Sequence, residues 1–181
     1  DWNVDGKTDL AVGAYGYSTN TGRTYLFYND GSLPTTAVTA DVIITGETTN
    51  NYFSYSLASG DFNADGKTDL AVGAYGYASS RGRAYIFTSQ NGQVNTNISL
   101  TGETTSNNLG RSLTSGDFNA DGRTDLAVGA YGYSTVTGRT YIFYNGSIIT
   151  ENASGADIII TGETTSNSFG MSLTSGDFNA D

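Results

Sequence analysis

The stretch DFNADGKTDLAVGAYGY, Asp61–Tyr77, decides the reading of this chain. Its first nine residues carry Asp61, Asn63, Asp65 and Asp69 at positions one, three, five and nine, with Gly66 at position six where the backbone must turn sharply. The oxygen-bearing side chains alternate with residues of other kinds, and Lys67 at position seven can present its backbone carbonyl while its side chain points away. An all-oxygen set wrapped around a point suits a hard cation, Ca²⁺ at ~2.3–2.6 Å, better than Mg²⁺, which keeps its waters and a strict octahedron. Without a cation the carboxylates repel one another, and the turn should open. A metal-free Asx-rich turn is the plain alternative. An EF-hand loop also begins D-x-N-x-D-G, but it needs Glu at position twelve, where this chain has Val72 inside an apolar run. The nine-residue glycine period of a calcium β-roll is absent. The turn therefore reads as a hairpin connection between strands.

The stretch recurs. DWNVDGKTDLAVGAYGY begins at Asp1, DFNADGRTDLAVGAYGY at Asp117, and a further DFNAD at Asp177, so the starts are 60, 56 and 60 residues apart. The matching metal-ligand candidates are Asp1, Asn3, Asp5, Lys7 and Asp9; Asp117, Asn119, Asp121, Arg123 and Asp125; and Asp177, Asn179 and Asp181. The intervening segments repeat too, as GRTYLFYN, GRAYIFTS and GRTYIFYN, then IITGETT, SLTGETT and IITGETT. Self-similarity at such a period is the signature of a repeat architecture. Within one unit four short strands are expected: Phe53–Gly60, with alternating residues; Asp69–Tyr75, small and apolar; Arg83–Ser89, aromatic and β-branched; and Asn97–Gly102. Asn91-Gly92 and Asn145-Gly146 are hairpin signals. No segment shows sustained helical periodicity. Four antiparallel strands per unit describe a β-propeller blade. The fold expected is all-β, about three blades, an incomplete ring unless the chain is oligomeric or part of a longer one. The units run at about residues 1–50 (lacking a first strand), 51–106, 107–165 and 166–181, the last being the first strand of a further blade or one that closes a neighbour's.

Composition narrows the function. The net charge of −10 argues against nucleic acid or anionic membranes as partners, and no apolar run reaches the ~20 residues that span a bilayer. Without His or Cys, Ser-His-Asp and Cys-His catalysis, the usual zinc sites and disulfide staples are excluded. The chain starts on Asp1 rather than Met, as a processed or trimmed chain would. Only 14% of residues are charged, and most of the 18 acidic ones sit in the four turns. Three Ca²⁺ would bring the formal charge from −10 to −4, and calcium would take the place of disulfides as the staple.

Together these motifs resemble the FG-GAP repeat, the blade unit of the integrin alpha-subunit β-propeller. The Phe-Gly pair stands as Phe53-Ser54, Leu109-Gly110 and Phe169-Gly170; the Gly-Ala-Pro stands as Gly13-Ala14-Tyr15, Gly73-Ala74-Tyr75 and Gly129-Ala130-Tyr131, with Tyr replacing Pro in every copy. The calcium hairpin of the family lies between the two pairs. The resemblance implies calcium loops on one rim and ligand recognition on the opposite face. There Tyr15, Tyr17, Tyr75, Tyr77, Tyr131 and Tyr133 could form an aromatic platform and Arg23, Arg83 and Arg139 supply charge. Packing of the tyrosines between blades, and structural pairing of Arg with Glu, is the alternative use of the same residues. The function expected is a non-catalytic, extracellular or cell-surface module that recognises protein or carbohydrate. The alternative is an architectural or engineered unit that assembles into a ring. A polysaccharide-cleaving enzyme is less favoured, because three of the four Glu recur at equivalent positions, whereas a catalytic pair occurs once.

Overall fold

The computed structural model describes residues 1–90, 93–146 and 152–178. The Asn91-Gly92 turn, Glu151, Asn179 and Asp181 lie outside the described residues. Eleven strands form three antiparallel sheets. The first holds β1 (Leu10–Ala14), β2 (Arg23–Phe27) and β3 (Val42–Thr45). The second holds β4 (Phe53–Gly60), β5 (Asp69–Ala74), β6 (Arg83–Gln90) and β7 (Gln93–Thr101). The third holds β8 (Ser112–Gly116), β9 (Asp125–Ala130), β10 (Arg139–Phe143) and β11 (Ile158–Thr161). Each sheet is ordered as its strands follow in the chain, the first with three strands and the others with four. These are propeller blades, and they do not close a ring.

Period-two alternation builds the core between blades. In β5, Ala71 faces the third blade in a cluster with Ile86, Leu100, Leu109, Leu126, Val128 and Tyr141. Its neighbours Leu70, Val72 and Ala74 face the first blade with Trp2, Leu26, Phe53 and Phe87. Both faces of the middle sheet are covered, which is why β5 is a continuous apolar run.

The two glycines of the repeat mark where adjacent blades touch. A side chain at Gly73 would collide with the Gly110 carbonyl, and one at Gly129 with the Gly170 carbonyl. Ser56 and Ser112 donate to those same carbonyls at 2.8 and 2.7 Å. Gly110 and Gly170 themselves sit at φ +82° and +81°, a left-handed conformation that favours glycine. Ser54, in the corresponding place, adopts φ +68°, and its hydroxyl accepts from Thr24 at 2.8 Å.

Two expectations need refinement. The third and fourth strands of the middle unit extend into a long hairpin, β6–β7, beyond the expected Ser89 and before the expected Asn97. In the outer units the extra four residues end the third strand at Phe27 or Phe143 and introduce a 3₁₀ turn, Ala37–Thr39 or Ala153–Gly155, before the fourth. The loop between second and third strands also contains a turn not expected from periodicity. Ser18-Thr19-Asn20, Ala78-Ser79-Ser80 and Ser134-Thr135-Val136 are each left-handed throughout. Such backbone is unfavourable for non-glycine residues. It is held by bonds from the next connection: Asn50 and Tyr52 amides donate to Thr19 and Asn20, Ser106 and Asn108 to Ser79 and Ser80, and Ser166 and Ser168 to Thr135 and Val136. The two loop sets on this face are thereby sewn together.

Candidate metal hairpins and the opposite face

The acidic turns fold alike in all three complete copies. Asp61 accepts from the Asp65 amide at 3.1 Å and from Gly66 at 2.8 Å; Asn63 accepts from the same Asp65 amide at 3.0 Å; Asp65 accepts from Lys67 at 3.0 Å. Asp1, Asn3 and Asp5 repeat the pattern on Asp5, Gly6 and Lys7, and Asp117, Asn119 and Asp121 repeat it on Asp121, Gly122 and Arg123. The backbone is left-handed at Val4, Ala64 and Ala120 and again at Gly6, Gly66 and Gly122. The alternation in the sequence thus places the first, third and fifth side chains over one arc of amides at the exposed tip. These amide bonds hold the Asp5 and Asp117 carboxyls below the usual carboxylate range, from Lys7 and Gly122 respectively.

The ninth-position carboxylate does something else. Asp69 is fully buried and accepts from the Phe62 amide at 3.0 Å and the Ser89 amide at 3.1 Å. Asp125 takes the Phe118 and Asn145 amides, and Asp9 the Trp2 and Asn29 amides. Each ties its hairpin to the end of the third strand in the same blade. Burial pushes the Asp69 carboxyl up to about 6, against those two hydrogen bonds and with the Asp65 and Asp61 charges adding to the rise. Among the described residues no group of three or more Asp, Glu, His or Cys side chains stands gathered as a metal site. The chemistry of the donor set still fits one kind of ion: every group at the tip is a carboxylate or amide oxygen, and an ionised carboxylate that accepts one amide per oxygen keeps lone pairs for a cation. Of the fourth turn, Asn179 and Asp181 lie beyond the described residues, so only Asp177 is placed.

In the first turn the Lys7 ammonium leans back to Asp5 Oδ2 at 3.5 Å, an exposed pair of little energetic weight. The second residue of each turn carries a role that the ligand spacing does not reveal. Trp2 and Phe62 are buried in the cores between blades. Ser89 Oγ, from the second blade, donates to the Trp2 carbonyl, and Asn145 Nδ2, from the third, donates to the Asp61 carbonyl. Each of these two turns is therefore clasped by the blade that follows.

On the opposite face the arginines are committed to packing. Arg83 pairs with Glu47 of the preceding blade at 3.3 Å, and Arg139 with Glu103 at 2.8 Å. Tyr85 and Tyr141 hydroxyls donate to the same glutamate oxygens. Arg23, Arg83 and Arg139 lie 3.7, 3.7 and 3.6 Å over the rings of Tyr17, Tyr77 and Tyr133. Tyr15 and Tyr75 instead belong to a cluster that spans the first two blades. Tyr75 stacks on Tyr52 with centroids 4.8 Å apart and meets Tyr55 edge-on at 4.7 Å; Tyr15 lies 5.0 Å from Tyr55. Arg111, from the third blade, covers Tyr55 at 3.9 Å. Tyr131 has no counterpart of this cluster among the described ring contacts. Tyr52, Tyr55 and Arg111 do not stand out from the motifs. Their signal is a different one: they are points where the repeat breaks, Tyr52 against Asn108 and Ser168, Tyr55 against Arg111 and Met171.

Comparison with known proteins agrees with this geometry. The model for "FG-GAP repeat" matches residues 1–27, 53–87 and 109–143, more than half of the chain. Phosphatidylinositol-glycan-specific phospholipase D of Homo sapiens is 36% identical over 196 residues, covering 96% of this chain and 23% of that protein. The Bos taurus protein of the same name is 36% identical over 186 residues, covering 90% and 22%. Integrin alpha-5 of Xenopus laevis is 33% identical over 171 residues, covering 85% and 16%. The chain thus spans less than a quarter of the length of these relatives. Both glycines that give the repeat its name stand where blades touch, the acidic hairpin lies between them, and the chain belongs to the FG-GAP repeat family.

Proposed function

We propose that this chain is a calcium-stabilised, non-catalytic propeller module for recognition outside the cell. The observation that carries the reading is the threefold recurrence of one hairpin geometry with an all-oxygen tip. Asp61, Asn63 and Asp65, and their counterparts in the other two turns, would hold the ion, with the carbonyls of Lys7, Lys67 and Arg123 and the ninth-position carboxylates completing the set. The ion neutralises carboxylates that otherwise repel, and it thereby fixes the turn that the next blade grips. Extracellular calcium modules bind at ~10⁻⁴–10⁻³ M, a range suited to that compartment. Among the described residues no helix is long and apolar enough to cross a membrane.

The recognition surface is the face opposite the hairpins. The ion-paired arginines serve the blades, so the tyrosine cluster of Tyr15, Tyr52, Tyr55 and Tyr75 with Arg111 is the better candidate for contact with a protein or sugar ring. Stacked aromatics with hydroxyls at their edges offer both apolar area and hydrogen bonds. The activity that names the phospholipase relatives forms no part of this reading, since the chain matches only a fraction of their length. Thermal melting with and without chelator tests the calcium reading. At 100 times its dissociation constant one site adds about 2.7 kcal/mol. Chelation should therefore lower the melting temperature by many degrees, and an unchanged melt would defeat the proposal.

A further inference from the structure

The three acidic turns are joined to one another through one position of the repeat. It is the last residue of the GRTYLFYN, GRAYIFTS and GRTYIFYN segments: Asn29, Ser89 and Asn145. In every blade its amide donates to the ninth-position carboxylate of the same blade, Asn29 to Asp9 at 2.9 Å, Ser89 to Asp69 at 3.1 Å and Asn145 to Asp125 at 2.8 Å. The side chains of Ser89 and Asn145 reach instead to the turn of the preceding blade. Ser89 Oγ donates to the Trp2 carbonyl at 2.8 Å, and Asn145 Nδ2 donates to the Asp61 carbonyl at 2.7 Å. Ser89 thus connects the first turn to the second, and Asn145 the second to the third. The second turn holds both Asp61 and Asp69, so the connection runs unbroken across all three.

Both connectors are buried, Ser89 at 1% and Asn145 at 8% exposure. Their hydrogen bonds are shielded from water and strengthened by low local dielectric. The second residue of each turn follows the same route. The Trp2 ring packs in a cluster with Leu70, Val72 and Phe87 of the second blade, and Phe62 with Leu126, Val128 and Tyr141 of the third. A turn is therefore held to the next blade twice, by its backbone and by its aromatic ring.

We propose that the three turns bind calcium cooperatively, with Ser89 and Asn145 as the positioning residues that couple them. The proposal rests on the calcium reading above. Holding Asp69 in place as a ligand fixes the Ser89 amide bonded to it, and with that residue the hydroxyl that grips the Trp2 carbonyl. The backbone between Asp1 and Asn3 is then ordered before its own ligands are engaged. A turn already ordered by its neighbour loses less conformational freedom on binding, which is positive cooperativity without a change of shape. The coupling is reciprocal, so ordering the first turn favours the second by the same factor. Repulsion between bound ions opposes it, but salt screens charges at exposed tips far more than it weakens buried bonds.

Trp2 is the only tryptophan and lies in the first turn. Terbium, which substitutes for calcium and emits when an adjacent tryptophan is excited, therefore reads that turn selectively. Asp65→Asn weakens the second turn while keeping an oxygen for the Lys67 amide. In high salt it should lower terbium affinity at the first turn at least about fivefold. With Ser89→Ala already present, the same change should have no effect there. With Ser89→Thr, which keeps the hydroxyl, the effect should persist. A first turn indifferent to Asp65→Asn, or equally affected with and without Ser89→Ala, overturns the coupling. Should Ser89→Ala fail to fold, Asp121→Asn in the third turn gives a second cycle. Its effect on the first turn should vanish with Asn145→Ala, and an effect that survives this change overturns the proposal. Terbium emission through Trp2 that is absent, or that calcium does not displace, would instead defeat the calcium reading, and the coupling with it.

Discussion

β1 and β5 carry one sequence, Leu-Ala-Val-Gly-Ala, and make the same antiparallel pairing with the strand that follows, Leu10 opposite Phe27 and Leu70 opposite Phe87. Their local structure is alike, but their burial is not. β5 lies between two blades and under β4, whereas β1 has a neighbouring blade on one side and an open edge. The difference teaches that a blade's strands are specified locally, while its stability is supplied by the blades beside it. Repeat proteins in general sum intrinsic and nearest-neighbour contributions in this way.

The largest expected effect separates these two strands directly. Leu70→Ala removes a buried side chain from the core between first and second blades and should cost about 2–5 kcal/mol. Leu10→Ala should cost roughly 0.5 kcal/mol or less in an isolated chain, because little apolar area is lost from shelter. Urea unfolding of both variants measures the contrast. If Leu10→Ala proves as damaging as Leu70→Ala, the β1 edge is covered in solution and the contrast fails.

The next effect lies in the hairpins and depends on pH. Asp69 has its carboxyl raised from 3.8 to about 6 by burial. In calcium-free protein the folded state then holds a proton that the unfolded chain has released. The contribution of this group to stability is greatest below about 4 and is lost as pH rises to about 6. Calcium bound as proposed would reverse the preference, since it requires the carboxylate. With chelator present, stability attributable to Asp69 should fall by a few kcal/mol across that window, since each tenfold difference in proton affinity between folded and unfolded chain is worth about 1.4 kcal/mol. In Asp69→Asn this component should disappear. The variant should also be weaker by about 1–3 kcal/mol where Asp69 is ionised, because Asn keeps one accepting oxygen and turns a donor nitrogen toward the other of the Phe62 and Ser89 amides. Melting curves from pH 4 to 7 in chelator and in calcium provide the four comparisons.

A smaller contrast separates inner and outer glutamates. Glu103 serves Arg139 and Tyr141 across a half-covered junction, so Glu103→Gln should destabilise by about 1 kcal/mol. Glu163 has no arginine opposite it among the described ion pairs, so Glu163→Gln should change stability by no more than about 0.5 kcal/mol. Urea unfolding of both variants distinguishes them.

Much of this architecture is legible in the sequence because the repeat aligns every strand with its copies. Asp, Asn and Gly at fixed spacing name the turn, and Phe53–Gly60 is bounded correctly because the alternation begins at one aromatic and ends at the acidic turn. What is not legible depends on contacts between repeats. The arginines read equally well as a binding surface or as inter-blade ties until Glu47 and Glu103 are placed beside them. The left-handed Ser18-Thr19-Asn20 turn has no sequence mark, since its residues favour other conformations and are held by amides some thirty residues away. The tyrosine cluster comes from departures from the repeat, which a search for regularity passes over.

The smallest effect turns on one such departure. At the point of closest contact between blades, Thr24 faces Ser54, and their hydroxyls bond at 2.8 Å. The equivalent pair in the next junction is Ala84 with Gly110, which has no hydroxyl to satisfy. The third junction mixes the two solutions. Thr140 faces Gly170, and its buried Oγ1 has no partner. A hydroxyl stranded in this way costs about 1–3 kcal/mol of desolvation, offset here by the packing of its methyl group. Thr140→Ala should therefore be neutral or stabilise by up to about 1 kcal/mol, whereas Thr24→Ala should destabilise by a similar amount because it strands Ser54. Ser54→Gly relieves left-handed strain at φ +68° but strands Thr24. The double variant Thr24→Ala, Ser54→Gly recreates the middle junction and should recover what either single change loses. A double-mutant cycle by urea unfolding, with coupling of at least about 0.5 kcal/mol, confirms that these positions act as a pair. Strict additivity would mean that the backbone at Ser54, and not its bond to Thr24, decides the fit between blades.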